Sequence, residues 1–133
     1  MSKTMDKKIE KTTEELCGLV KKCATEVYKI LGAGYNEEVY EEAMGVEFRR
    51  QKISFELERN SEIFYKEEKV GIHRLDFLVE AKLVVELKAA ATLSKSNIVQ
   101  LSSYLRTLKL SHGLLINFPY PQEDEPEFQV IEP

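Results

Sequence analysis

An α/β sandwich with a mixed sheet is the fold class that the sequence predicts, and three patterns predict it. Apolar residues recur at helical spacing through the first part of the chain and alternate with polar residues through the middle. A further helical stretch is then followed by a short, wholly apolar run. The order is helix, helix, three or four strands, helix and strand, with a last edge strand left open, which suits a mixed sheet flanked by helices. A length of 133 residues is about that of one domain, so a single domain is expected over 1–133. With 43% hydrophobic and 32% charged residues and only 6 Gly and 4 Pro, the composition excludes a disordered or low-complexity chain.

From about Met5 to Leu31, the residues Ile9, Leu16, Val20, Cys23 and Val27 return at three- and four-residue steps, predicting an amphipathic helix that Gly32-Ala33-Gly34 ends. So apolar a stripe docks either on its own domain or on a second copy, which leaves a homodimer open. Asn36 reads as the N-cap of a second helix, to about Gln51, with Glu37 and Glu38 in the first turn, where the helix dipole favours acids.

The period then changes. Ile53, Phe55 and Leu57 alternate with polar residues, and Ile63 and Tyr65 continue the pattern, so strands are expected there. Lys66-Glu67-Glu68-Lys69 reads as a turn, and Val70 to Val79 and Leu83 to Ala89 as two more strands around Glu80-Ala81-Lys82. Ser94 opens a third helix to about Lys109, with Ile98, Leu101, Leu105 and Leu108 on one side and His112-Gly113 closing it. Leu114 to Phe118 suits a strand buried on both faces. Pro119 and Pro121 stop it. The core is expected at about 31–118 and an acidic tail at about 122–133, with Phe128, Val130 and Ile131 available for an edge strand.

The net charge of -4 and pI near 5.3 exclude the broad basic footprint of a protein that holds nucleic acid by counterion release alone. Any nucleic-acid contact must be local, and the small basic groups at Arg49, Arg50 and Lys52 and at Arg106 and Lys109 read as solvated surface. Cys17 and Cys23 fit neither a CxxC motif nor a disulfide scaffold and are expected reduced. The stretch MSKTMDKKIEKTTEE has no apolar core of a signal peptide, and no apolar run is long enough to span a bilayer. A cytoplasmic location without membrane contact is therefore expected.

LDFLVEAKLVVELKA, Leu75 to Ala89, carries charges where a core should be. By strand parity, Leu75, Phe77, Val79, Leu83, Val85 and Leu87 make a core face, and Asp76, Leu78, Val84, Glu86 and Lys88 the opposite one. A three-residue loop Glu80-Ala81-Lys82 sets Asp76 opposite Glu86, whereas a two-residue loop would part them. Opposed carboxylates repel unless one takes a proton or a cation lies between them. Mg2+ suits such a pair, because it is held by one or two carboxylates while keeping waters and accepting phosphate oxygens. Lys88, on the same face as Glu86, would then orient or help deprotonate a water for phosphodiester hydrolysis. The plainer alternative is a half-exposed sheet in which Lys88 neutralises Glu86.

GAGYNEEVY, with Gly34, Glu37 and Tyr40, resembles the signature of the GxxExxY family, within the PD-(D/E)XK nuclease superfamily. The resemblance continues through RLDFLVEAKLVVELKA, NIVQLSSYLRTLKL and GLLINF, about Leu31 to Phe118. It implies a restriction-endonuclease-like core, a mixed β-sheet flanked by helices. It also implies Asp76 as the metal-binding aspartate and Glu86 and Lys88 as the E-x-K pair, with Mg2+ or Mn2+ as cofactor. Glu37 looks like the helix-borne glutamate that holds metal or water in some branches, and Gln100 and Tyr104 are similar to a Q-x-x-x-Y motif facing the site. Four residues are one helical turn, so these two share an edge. The superfamily's proline before the aspartate is Leu75 in this chain, a departure. Arg74 shares the active face if its strand stays regular, and would then contact phosphate; His73 precedes it with no role assigned. The implied activity is metal-dependent hydrolysis of nucleic acid, DNA ahead of RNA. The competing reading is a catalytically inactive module of the same fold, which the acidic pI and the lack of a DNA-binding appendage favour, since fold does not imply function.

Overall fold

The computed structural model describes residues 10–57 and 60–132. Two helices lead, α1 (Thr13–Leu31) and α2 (Glu37–Arg50). The start of α1 is set by Thr12, whose side chain accepts the Glu15 N–H at 3.1 Å while Glu15 Oε1 accepts the Thr12 N–H at 2.8 Å. That capping box corrects the expected start at Met5: a residue capping in the extended conformation cannot sit inside a helix, and residues 1–9 lie outside the described ones. Gly32, at φ 73°, ends α1, and Asn36 caps α2 by accepting the Val39 N–H at 3.3 Å.

Five short strands follow: β1 (Phe55–Leu57), β2 (Asn60–Tyr65), β3 (Glu68–Arg74), β4 (Phe77–Val79) and β5 (Leu83–Lys88). Helix α3 (Lys95–Leu108) then leads to β6 (His112–Asn117) and β7 (Glu127–Ile131). Ser94 and Asn97 form a second capping box at the start of α3. The helix ends at Lys109, whose left-handed φ of 58° lets Leu110 N–H close on the Leu105 carbonyl at 3.0 Å. His112 and Gly113, expected to close α3, instead begin β6.

The main sheet has the order β1-β4-β5-β6-β7, with β5 and β6 parallel and the other pairs antiparallel. Strands β2 and β3 form a separate two-stranded ribbon with a register shift at Ile63/Phe64. The expected single strand from Val70 to Val79 is thus two strands in two sheets, broken at Leu75 and Asp76. The cause is packing. Leu75 does not share a face with Phe77 and Val79 but joins Leu78 and Val84 under α3. The expected four-residue turn before it is tighter too, with Lys66 and Glu67 left-handed and Glu68 already in β3.

Helices α1 and α2 cover one face of the main sheet and α3 the other. Leu16, Val20, Tyr28, Met44 and Phe48 pack with Phe77, Val85 and Leu114, so α1 lays its apolar stripe on its own domain. On the far side, Leu101 and Leu105 of α3 pack with Leu78, Val84 and Leu115. Cys17 and Cys23 are both buried in the first core and reduced, and burial pushes the Cys23 thiol up to about 11.

Helix α3 approaches β6 so closely that a Cβ on Gly113 would meet Leu101 Cδ2 at 2.9 Å. Gly113→Ala should therefore overpack this contact and cost about 1–3 kcal/mol, read as a lower urea midpoint. By contrast, exposed Ala81 holds a left-handed φ of 57°. Ala81→Gly should raise the same midpoint, by about 0.5–1 kcal/mol, because glycine relieves the steric cost and loses part of that gain to unfolded-chain entropy.

Candidate metal and nuclease site

The site is built by the β4–β5 hairpin. Lys82 N–H closes on the Val79 carbonyl at 3.0 Å around left-handed Glu80 and Ala81. The register that results pairs Phe77 with Val85, Leu78 with Val84 and Val79 with Leu83. Carried one residue further, it sets Asp76 across from Glu86. The Asp76 N–H reaches Glu86 Oε1 at 3.3 Å, and Asp76 Oδ2 accepts the Leu87 N–H at 2.8 Å. The condition placed on the Glu80-Ala81-Lys82 loop is met.

Glu86 is buried and Lys88, two residues on, half-buried. Burial raises the Asp76 carboxyl above its ordinary value and the nearby Glu86 raises it further; the Leu87 N–H, a hydrogen bond with the Glu41 carboxyl and the Lys88 ammonium oppose the shift. Glu37, in the first turn of α2, is also raised, chiefly by burial and then by Asp76, with Lys88 opposing. Glu37, Asp76 and Lys88 are thus close enough to act on one another.

Arg74 ends β3 and lines, with Glu37, Glu41 and Asp76, an open cleft of about 380 Å³. The strand is not regular between Arg74 and Asp76, so the parity argument for Arg74 fails; the interruption of the strand brings it to the cleft instead. Gln100 and Tyr104 project from α3 beside Glu86 and Lys88, around a crevice of only about 10 Å³. Tyr40 takes no place there. It is buried, donates its hydroxyl to the Gly32 carbonyl at 2.6 Å and stacks on Phe118 at 4.2 Å, closing the α1–α2 corner that presents Glu37. His112 is likewise remote, with Nε2 3.1 Å from Glu132.

Two residues at the site escaped the sequence reading. His73 stacks on Tyr104 and its Nε2 lies 3.4 Å from Glu86 Oε1. Regular alternation had put residue 73 on the other face from Asp76, and no sequence signal marked the break that reverses this. Glu41 hydrogen-bonds Asp76 from one helical turn beyond Glu37, a spacing that helical periodicity could have flagged.

The segment between Lys88 and α3 is fixed by buried Asn117, which accepts the Ala90 N–H at 2.9 Å and donates to the Ala90 carbonyl at 3.0 Å and to Glu127 Oε1 at 3.2 Å. Glu127 also accepts from Leu93 N–H and the Thr92 hydroxyl, each at 2.9 Å. Strand β7 thereby helps to set where α3 begins.

Among the described residues, no three His, Cys, Asp or Glu side chains are gathered as a metal-holding group. The donors on offer are the carboxylates of Asp76 and Glu86, which fit an ion that takes hard oxygen ligands and keeps several waters, Mg2+ or Mn2+.

A family model described as the PD-(D/E)XK nuclease superfamily matches residues 14–129. The chain belongs to that superfamily. Its five-stranded mixed sheet between helices has the fold of PD-(D/E)XK nucleases. No curated protein matches the sequence. Among solved structures, that of SSO0001 is similar over 98% of this chain and 72% of its own, at 17% identity and a TM-score of 0.47. Among the described residues, no helix is long and apolar enough to cross a membrane.

Because the folded state holds the Asp76 proton more tightly than the unfolded chain does, the stability from that proton is present at low pH and lost as pH rises through the folded value. Once the group ionises, without metal, its burial beside Glu86 is a net cost. Asp76→Asn keeps an acceptor for the Leu87 N–H and should raise Tm by a few degrees at pH 7. The gain should vanish once the pH falls below the ordinary carboxylate range, which a series of melting curves across pH checks.

Proposed function

We propose that this protein is a Mg2+- or Mn2+-dependent nuclease of the GxxExxY branch, acting in the cytoplasm on phosphodiester bonds of nucleic acid, DNA ahead of RNA. The observation that carries the reading is the opposition of Asp76 and Glu86 across one hairpin, in a partly buried setting where the pair favours a cation. Such a pair is costly to keep for structure alone. Superfamily membership supports nuclease chemistry in general.

Asp76 and Glu86 would hold the metal. When bound, it would supply a Lewis acid that polarises the phosphoryl oxygen and makes water acidic enough to act as nucleophile. Lys88, beside Glu86 on the same strand face, orients the attacking water and offsets charge on the phosphate. Arg74 lines the cleft from which a phosphate would approach, and Glu37 stands at its helix-borne edge, placed to hold a water. Gln100 offers an amide at the α3 edge of the site and Tyr104 backs it. Since α1 packs on its own domain, its stripe gives no support to a homodimer.

One observation favours a catalytically inactive module: the crevice between Lys88, Gln100 and Tyr104 holds only about 10 Å³. Incubating the purified protein with single- and double-stranded DNA and RNA, in Mg2+, Mn2+ or EDTA, separates the two. Cleavage should need metal, and Asp76→Ala and Lys88→Ala should each lower the rate by about a hundredfold or more. Equal cleavage by the wild type and both variants would sink the site. No cleavage, together with no rise in Tm at millimolar Mg2+ or Mn2+, would select the module, because an ion that binds the native state must raise Tm.

A further inference from the structure

We propose that His73, backed by the ring of Tyr104, is a positioning residue that fixes the carboxylate of Glu86, and that the β2–β3 ribbon is the element that delivers it. The proposal rests on the reading of Asp76 and Glu86 as a metal pair.

His73 lies next to the end of β3, on the ribbon face it shares with buried Ser61, its register partner. Its imidazole covers the ring of Tyr104 on α3, with centroids 3.4 Å apart and planes 14° from parallel. Its Nε2 stands 3.4 Å from Glu86 Oε1, and the His73 and Glu86 side chains are only 15% and 10% exposed. In the tautomer with its proton on Nε2, His73 donates to Glu86 Oε1. Three elements, the ribbon, α3 and β5, therefore meet at one imidazole.

A glutamate has several rotatable bonds, and a ligating carboxylate acts well only when its rotamer is held. Among the described residues, the Asp76 N–H also reaches Glu86, at 3.3 Å and again on Oε1. Both contacts fall on the same oxygen, so among the described residues Oε2 is the one offered to a metal. The stack adds to this: with one face of the imidazole against Tyr104, the ring is barred from turning toward α3. In this arrangement Tyr104 acts through its ring, not its hydroxyl.

The ribbon's geometry agrees. Phe64, Tyr65, Val70 and Ile72 are exposed, so little apolar packing secures its far end, and a two-stranded ribbon is marginal alone. Buried Ser61 and half-buried His73 lie at its base.

The test is a Mn2+ titration followed by melting for His73→Ala, His73→Gln, Tyr104→Ala and Tyr104→Phe, together with a metal-free urea cycle on His73→Ala and Glu86→Gln. His73→Ala and Tyr104→Ala should each weaken the Mn2+ midpoint about tenfold or more. His73→Gln, which keeps a donor, and Tyr104→Phe, which keeps the ring, should restore most of that loss. In cleavage assays His73→Ala should lower kcat with little change in KM. In the urea cycle the two substitutions should be non-additive, by about twofold or more in the unfolding equilibrium constant. A wild-type Mn2+ midpoint in His73→Ala, or additive effects in urea, would overturn the proposal. If the wild type neither binds Mn2+ nor cleaves, the metal reading falls separately, while the urea cycle still decides whether His73 holds Glu86.

Discussion

Everything at the candidate site depends on the register between β4 and β5. Shifted by one residue, the hairpin would turn Asp76 to the opposite face from Glu86 and put Leu78, on the same strand, where Phe77 now packs. Both cores and the carboxylate pair therefore stand or fall together. The turn that enforces this uses two residues with left-handed φ and no glycine. Its strain is offset from outside the hairpin: Glu80 Oε2 accepts the Ser54 N–H at 2.8 Å and the Ser54 hydroxyl at 3.0 Å, while Glu80 N–H donates to the Ser54 carbonyl at 2.9 Å. A charged residue at a strained position is thereby fixed, and the site is fixed with it.

The same face of the sheet serves two purposes. Toward one end, Leu78, Val84 and Leu115 are sealed by Leu101 and Leu105 of α3. At the other end the face turns polar, with Asp76, Glu86 and Lys88. An edge between a sealed core and a cleft suits ionisable groups that must be partly dehydrated yet reachable, since lower effective dielectric strengthens each charge interaction. The α3 capping box and the Asn117–Glu127 network set where that edge falls, because they fix the first turn of the helix that makes the seal.

Elements with a strong period or a cap were legible in the sequence. Asn36 and Ser94 mark helix starts to the residue, and parity sorts the faces of Phe77 to Val79 and Leu83 to Leu87, while the three-residue turn fixes the register. The Thr12–Glu15 capping box falls inside the stretch expected to be helical from Met5. The break at Leu75 and Asp76 was not legible. Val70 to Val79 reads as one apolar alternation, and only tertiary packing under α3 turns Leu75 to the second core. This is why Asp76, Glu86 and Lys88 could be placed from spacing, while His73, which reaches Glu86 across that break, could not.

The electrostatics of the cleft order events for the proposed substrate. Arg74 sits in a lining otherwise made of Glu37, Glu38, Glu41, Glu42 and Asp76, on a chain of net charge -4. A phosphodiester entering such a cleft meets repulsion from several carboxylates at once, and one guanidinium cannot cancel it. Neutralising Asp76 by protonation removes one of those charges but also the ligand. A divalent cation removes the repulsion and keeps the ligand. In a nuclease built this way, cation and polyanion must bind with positive coupling, each raising affinity for the other by the same factor. The acidic character that argues against a general DNA-binding surface is then consistent with a site that admits nucleic acid only when the metal is in place.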